Sequence, residues 1–198
     1  MPRLLIILLP LCMLACSDSA SVQSGTIFPE NIELRPGDVV FRRGSGFTSH
    51  AVLLAERGGD YSHVGIVVFS GGKPMVVHAV PYEDDEDRVK METPRDYFAS
   101  TKAQRGAVFR HVNPAISRQA ADEAFRVYRR GVLFDHKYNT SDTTQLYCTE
   151  LVVFVYGKTP RPLSGVGSHH LHLVGFESDC ILPSDLLGCK DLQQLLTF

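Results

Sequence analysis

The sequence predicts an α+β domain, and three stretches carry that prediction. "HVGIVVFSGGKPMVVHAV" reads as a β-hairpin, because two runs rich in Val and Ile flank the tight-turn residues Ser70-Gly71-Gly72-Lys73. "NPAISRQAADEAFRVYRRG" reads as a helix that starts at Asn113-Pro114 and stops at Gly131. Its apolar stripe is Ile116, Ala120, Ala124 and Val127. "CTELVVFVYGK" is a continuous apolar run that periodicity alone fits to a strand or a helix. The preceding Ser141-Asp142-Thr143-Thr144, with Gln145 three residues after Asp142, is a capping-type signal that favours the helix.

Shorter elements fill the intervals. A turn at Pro36-Gly37 leads into a strand over Asp38–Arg42, and "FTSHAVLLAERGG" forms a short helix closed by Gly58 and Gly59. "YEDDED" reads as a solvated loop. In "TPRDYFAS", Thr93 caps a short helix whose first position is Pro94. "AVFRHV" is a further strand, and the tail after Thr159 reads as loop-rich with a short helix at "LPSDLLG".

At 198 residues, the chain suits a single domain with one sizeable core. Hydrophobic residues make up 44% and charged residues 21%, and the formal charge is −2. No basic stripe with interleaved aromatics occurs, which excludes nucleic acid as an expected partner.

The first fifteen residues are expected to be a leader. Arg3 precedes the apolar run "LLIILLPLCML", which is too short to span a bilayer and closes on Ala15-Cys16. A short apolar run ending on a small residue and a cysteine resembles a bacterial lipoprotein signal. The resemblance implies cleavage before Cys16, acylation of that cysteine and anchoring in the envelope, with Ser17 pointing to the outer membrane. An ordinary secretory signal remains the alternative. Residues 16–33 are then expected to be a lipidated start and flexible tether, with the folded domain spanning 34–198.

Cysteine arithmetic isolates one residue. Cys12 leaves with the leader and Cys16 carries lipid, while Cys180 and Cys189 lie close together in a compartment that permits a disulfide between them. Cys148 is left over. A lone cysteine among Leu, Val and Phe is more often a small buried hydrophobe. At the start of a helix, however, its sulfur meets the positive end of the dipole, which favours thiolate.

The hairpin supplies its partners. A two- or four-residue turn pairs Gly65 with His78 and His63 with Val80. His63 and His78 then share a face as diagonal neighbours, roughly 5.5–8 Å apart at Cβ. Gly65, opposite His78, leaves room for a ring. Cys148 placed against that face acquires His63 as base and His78 as the group that orients it. The backbone N–H of Cys148, free at a helix start, serves as an oxyanion donor. Two metal readings stand beside this one: a His₂Cys zinc set made of the same three residues, and the cluster His169, His170 and His172 in "SHHLH". The latter reads more simply as an exposed loop.

"RPGDVVFRRG", "YSHVGIVV", "VVHAV" and "LYCTELVVFVY", in that order, resemble the circularly permuted branch of the NlpC superfamily of papain-like hydrolases. The YiiX/YaeF-type amidases and the lecithin:retinol acyltransferase relatives belong to that branch, and the resemblance covers roughly Leu34 to Leu187. It implies a small antiparallel sheet or half-barrel packed against the helix that bears the catalytic cysteine. It further implies Cys148 as nucleophile, His63 as general base and no metal or cofactor. His78 stands at the third polar position, where YiiX-like members carry Glu and many superfamily members carry His. Asp38 is implied to be structural, and Tyr61 to line the cleft or offer its hydroxyl to the oxyanion.

The expected function is that of an envelope cysteine hydrolase cleaving amide bonds of a peptidoglycan stem peptide or another peptide or acyl-amide. A lipid acyl hydrolase or acyltransferase of the same fold is the nearest alternative, and a non-catalytic envelope-binding lipoprotein the alternative from another class.

Overall fold

The computed structural model describes residues 25–56, 58–83, 86–173 and 176–198. The expected leader and Cys16 lie outside the described residues. Eight strands and five helices are present among those described: β1 (Val39–Gly44), α1 (Phe47–Ala55), β2 (His63–Ser70), β3 (Lys73–Glu83), β4 (Glu86–Glu92), α2 (Pro94–Tyr97), β5 (Ala103–His111), α3 (Pro114–Arg129), α4 (Cys148–Gly157), β6 (His169–Leu173), β7 (Phe176–Cys180), α5 (Pro183–Leu187) and β8 (Leu192–Thr197). Six strands form one antiparallel sheet in the order β4-β3-β2-β1-β5-β8, and β6 and β7 form a separate hairpin.

The β2–β3 hairpin turns on Gly71 and Gly72 alone, with Ser70 opposite Lys73. Both glycines have positive φ, 57° and 77°, the conformation a two-residue turn demands and other residues resist. From this turn the ladder runs to Ile66 opposite Val77, the register that sets Gly65 against His78. A Cβ on Gly65 would meet Val76 Cγ1 at 2.6 Å and His78 Cβ at 3.2 Å, so only glycine leaves His78 its place.

Alternation along the strands gives the sheet two buried faces. One presents Val39, Phe41, Val64, Ile66, Val77 and Ala79 to α3 and α4, making the larger core. The other presents Val40, Val67, Val76 and Val108 to Tyr97 and Phe98. Helix α3 begins where the sequence places it, with Asn113 Oδ1 accepting from the N–H groups of Ala115 (3.0 Å) and Ile116 (3.4 Å). Thr93 caps α2 by accepting from Asp96 N–H at 3.2 Å.

Three expectations need correction. Residues 25–33 are not a free tether: Ile27 N–H donates to Phe98 O, and the Phe28 ring stacks 5.4 Å from that of Phe98. The apolar Ile27, Phe28 and Ile32 bury against the second face and hold this segment down. The tail is not merely loop-rich, since it supplies the β6–β7 hairpin and the edge strand β8. Of β8 only Leu192 is buried, so the segment lacks the alternation that marks a strand. The acidic "YEDDED" is entered by β3, which continues to Glu83, and left by β4, which starts at Glu86.

Candidate active site

Helix α4 starts at Cys148, with Tyr147 at the N-cap position. The expected cap at Ser141–Thr144 lies upstream, where Asp142 instead closes a turn by accepting from Thr144 N–H at 2.9 Å. The residues flanking Cys148 are clamped to the strand end beyond β7. Tyr147 Oη accepts from Ile181 N–H at 2.8 Å, and Thr149 Oγ1 donates to Ile181 O at 2.6 Å. These two bonds fix the first turn of α4 on both sides of the thiol.

Cys148 approaches from the α3–α4 face, while His63 and His78 belong by alternation to the opposite one. The two halves meet at the start of β2, where the thiol lies against the backbone N–H of Val64, the residue after His63. The N–H groups of Cys148 itself and of Thr149 also face the sulfur. Despite these donors, burial dominates and pushes the thiol up to about 11. Burial, with Arg42 and His78 next, holds His63 well below its usual range. Burial thus favours the neutral form of each group, thiol and imidazole. The thiolate expected from the helix dipole is outweighed by desolvation.

The hairpin brings the histidines together as its register requires. His63 Nε2 and His78 Nδ1 are 2.8 Å apart, and His78 is fully buried. Behind them stands a residue that sequence reasoning missed. Glu92 Oε1, on β4, lies 3.0 Å from His78 Nε2. The same carboxylate faces Lys90 (3.4 Å), Lys102 (3.5 Å) and Arg42 (3.9 Å). Tyr97 is the floor of this cluster. Its ring centroid is 5.0 Å from that of His78 and 5.8 Å from that of His63, and the Arg42 guanidinium sits over it at 4.6 Å. The signal for Glu92 was present, since Arg88, Lys90 and Glu92 alternate with Val89 and Met91. Its charged members resemble a solvated edge, whereas the fold buries Lys90 and leaves Glu92 12% exposed.

The remaining sequence candidates resolve as follows. Tyr61 is buried in the main core with its ring 5.6 Å from Phe41, and it lines neither cavity described below. Its packing removes it from the oxyanion position. Asp38 is structural as expected: it accepts from Arg35 N–H at 2.7 Å and receives Arg110 through both carboxylate oxygens. Cys180 and Cys189 are free thiols rather than a bridge. Cys180 shares a cavity with Cys148, and Cys189 Sγ turns to Asp191 at 3.8 Å. His169 pairs with Asp185 (2.9 Å), and the side chain of His172 lies outside the described residues. Among the described residues no group of three or more His, Cys, Asp or Glu is arranged to hold a metal ion.

Two cavities open beside the site, on either side of α1, and Thr48 lines both. The first, about 320 Å³, holds His63, Arg42 and Lys102 with the hydroxyls of Ser45, Ser49 and Ser62. The second, about 210 Å³, holds Cys148 with Ala51, Val52, Tyr138, Ile181 and Leu182.

A thiol at a helix start, set against a strand that carries an imidazole pair, is the arrangement of a papain-like cysteine hydrolase, here with the histidines preceding the cysteine in the chain. The chain belongs to the permuted papain-like amidase family, YaeF/YiiX, C92, whose model matches residues 33–167. Members of this family are cysteine peptidases or amidases. Among solved structures, the fold matches that of the metalloprotein yiiX from Escherichia coli O157:H7 with a TM-score of 0.68. That match is 20% identical and covers 84% of this chain and 99% of the other. No curated protein matches the sequence.

Proposed function

We propose that Cys148, His63 and His78, backed by Glu92, form the catalytic machinery of an envelope amidase. The observation that carries the reading is the 2.8 Å contact between His63 Nε2 and His78 Nδ1, because it couples the two rings. A lone pair on His78 Nε2 would be repelled by the Glu92 carboxylate at 3.0 Å, so the proton of His78 sits there. His78 Nδ1 is then bare and accepts from His63 Nε2–H. His63 Nδ1 is left as the basic nitrogen, free to take the thiol proton.

As the Cys148 S–C bond forms at the amide carbonyl, the thiol proton passes to His63 Nδ1. The backbone N–H of Cys148 stabilises the oxyanion. His63 returns that proton to the departing nitrogen as the C–N bond breaks, leaving a thioester. Water then attacks, giving a proton to His63, and the acid leaves as the S–C bond breaks and the thiol is re-formed. The substrate is an amide reached from the envelope, with Cys16 as lipid anchor and peptidoglycan peptides or acyl-amides as the candidate class.

The yiiX structure is described as that of a metalloprotein. In this chain His63 and His78 bond each other rather than converge on a common point, which does not suit a His₂Cys metal site. No step is routed through a metal.

The test is amide hydrolysis by the purified protein and by Cys148→Ala and His63→Ala variants whose circular dichroism is unchanged. Loss in both supports the enzyme; retained activity in either removes that residue from the mechanism. Accumulation of the precursor under globomycin tests the anchor, and processing that ignores the drug points to an ordinary signal.

A further inference from the structure

The two cavities flanking α1 differ in chemistry, and the proposed reaction distinguishes their occupants. In a thioester mechanism the acyl half stays on sulfur, so its substituents lie on the Cys148 side. The amine half leaves with the proton carried by His63, so it lies on the His63 side. We propose that α1 divides the substrate, with an uncharged apolar acyl group in the Cys148 cavity and a polar, hydrogen-bonding amine in the His63 cleft. The inference rests on the nucleophile reading above and deepens it.

The Cys148 cavity is walled by Ala51, Val52 and Ala55 of α1 on one side and by Ile181, Leu182 and Pro183 on the other. At about 210 Å³ it has room for a short acyl tail or one apolar side chain. No charged side chain lines it, so an acyl group bearing a carboxylate would be desolvated without a partner. The hexanoyl to octanoyl range, or a side chain of leucine or phenylalanine size, fits. The His63 cleft, by contrast, is polar: Arg42, Lys102, Ser49 and Thr101 line it, with Ser45 and Ser62, whose hydroxyls also bond Thr101 O and Gly44 N–H.

The test uses p-nitrophenyl esters that share one leaving group and differ in the acyl part: acetyl, hexanoyl and succinyl. Cys148 takes the acyl group as the C–O bond breaks, and the thiol proton leaves by way of His63 to the medium. The adduct is read by mass spectrometry of the full protein. Hexanoyl is expected to appear on Cys148 at least tenfold faster than acetyl or succinyl. Ala51→Trp and Val52→Trp, which fill the cavity, are expected to lower the hexanoyl-to-acetyl ratio at least tenfold. Equal rates, or succinyl ahead of hexanoyl, overturn the inference while leaving the nucleophile in place. Absence of any adduct on Cys148 overturns both.

Discussion

His63 Nε2 and His78 Nδ1 share a hydrogen bond of 2.8 Å across the β2–β3 hairpin, and the turn at Gly71-Gly72 sets the register that allows it. Because each imidazole has one donor and one acceptor nitrogen when neutral, this bond links the protonation of both rings to the carboxylate behind them. Glu92 is thereby a positioning residue for the proposed base.

Glu92→Gln is expected to lower kcat by about 10²-fold with little change in KM, as befits a lost orienting group. It also leaves the charges of Arg42, Lys90 and Lys102 without their shared carboxylate, which depresses His63 further. The acid limb of kcat/KM therefore moves to lower pH, a displacement that a purely structural role would not produce. An unchanged kcat and pH profile would remove Glu92 from the relay.

The pH profile of the unmodified protein follows from the neutral pair. His63 is held well below its ordinary value of 6.5, so the base form survives to mildly acid pH. The Cys148 thiol titrates only at about 11. The kcat/KM is expected to be flat from neutral to alkaline pH, with its acid limb below 6.5. A thiolate–imidazolium pair would instead lose activity at mildly alkaline pH as the imidazolium deprotonates.

Glu150, in the first turn of α4, bears on stability. Burial raises its carboxyl from 4.5 to about 8. A raised acid favours the folded state below the unfolded value and loses that contribution as pH rises through the folded one. Glu150→Gln is expected to stabilise the protein by up to a few kcal/mol above pH 8 and to flatten stability between pH 4.5 and 8, as read by urea unfolding. Gln retains an oxygen for the Tyr147 N–H that Glu150 accepts at 3.4 Å, so the helix start is kept. Identical pH dependence in the two proteins would contradict this assignment.

Gly65→Ala adds a methyl that meets Val76 Cγ1 at 2.6 Å, Val77 O at 3.1 Å and His78 Cβ at 3.2 Å. Overpacking of this kind costs about 1–3 kcal/mol. Displacement of His78 should lower kcat more than KM changes. Wild-type kinetics in a folded Gly65→Ala protein would show that the close approach has no bearing on the site.

The hairpin and the capped α3 were legible because each rests on local chemistry: a Gly-Gly turn and an Asn-Pro start. Cysteine arithmetic singled out Cys148 by pairing Cys180 with Cys189, yet all three are free thiols, so that count does not set Cys148 apart. The ionisation of Cys148 was not legible, because the dipole is written in the helix but the burial that outweighs it comes from tertiary packing. Glu92 was hidden for a similar reason. Its alternation with Val89 and Met91 was readable, yet only the packed Tyr97 face makes a row of charges a buried network. Tyr61 misled in the opposite direction, since its motif placed it near the base while its ring belongs to the core beside Phe41.

The central claim is that Cys148 attacks with His63 as its base, and the rate of acyl transfer to Cys148 tests it most directly. Intact mass spectrometry after exposure to p-nitrophenyl hexanoate should show one adduct, mapped to Cys148 and absent from Cys148→Ala. In folded His63→Ala the same adduct should form at least 10²-fold more slowly. An adduct on another residue, or an undiminished rate in His63→Ala, would contradict the account.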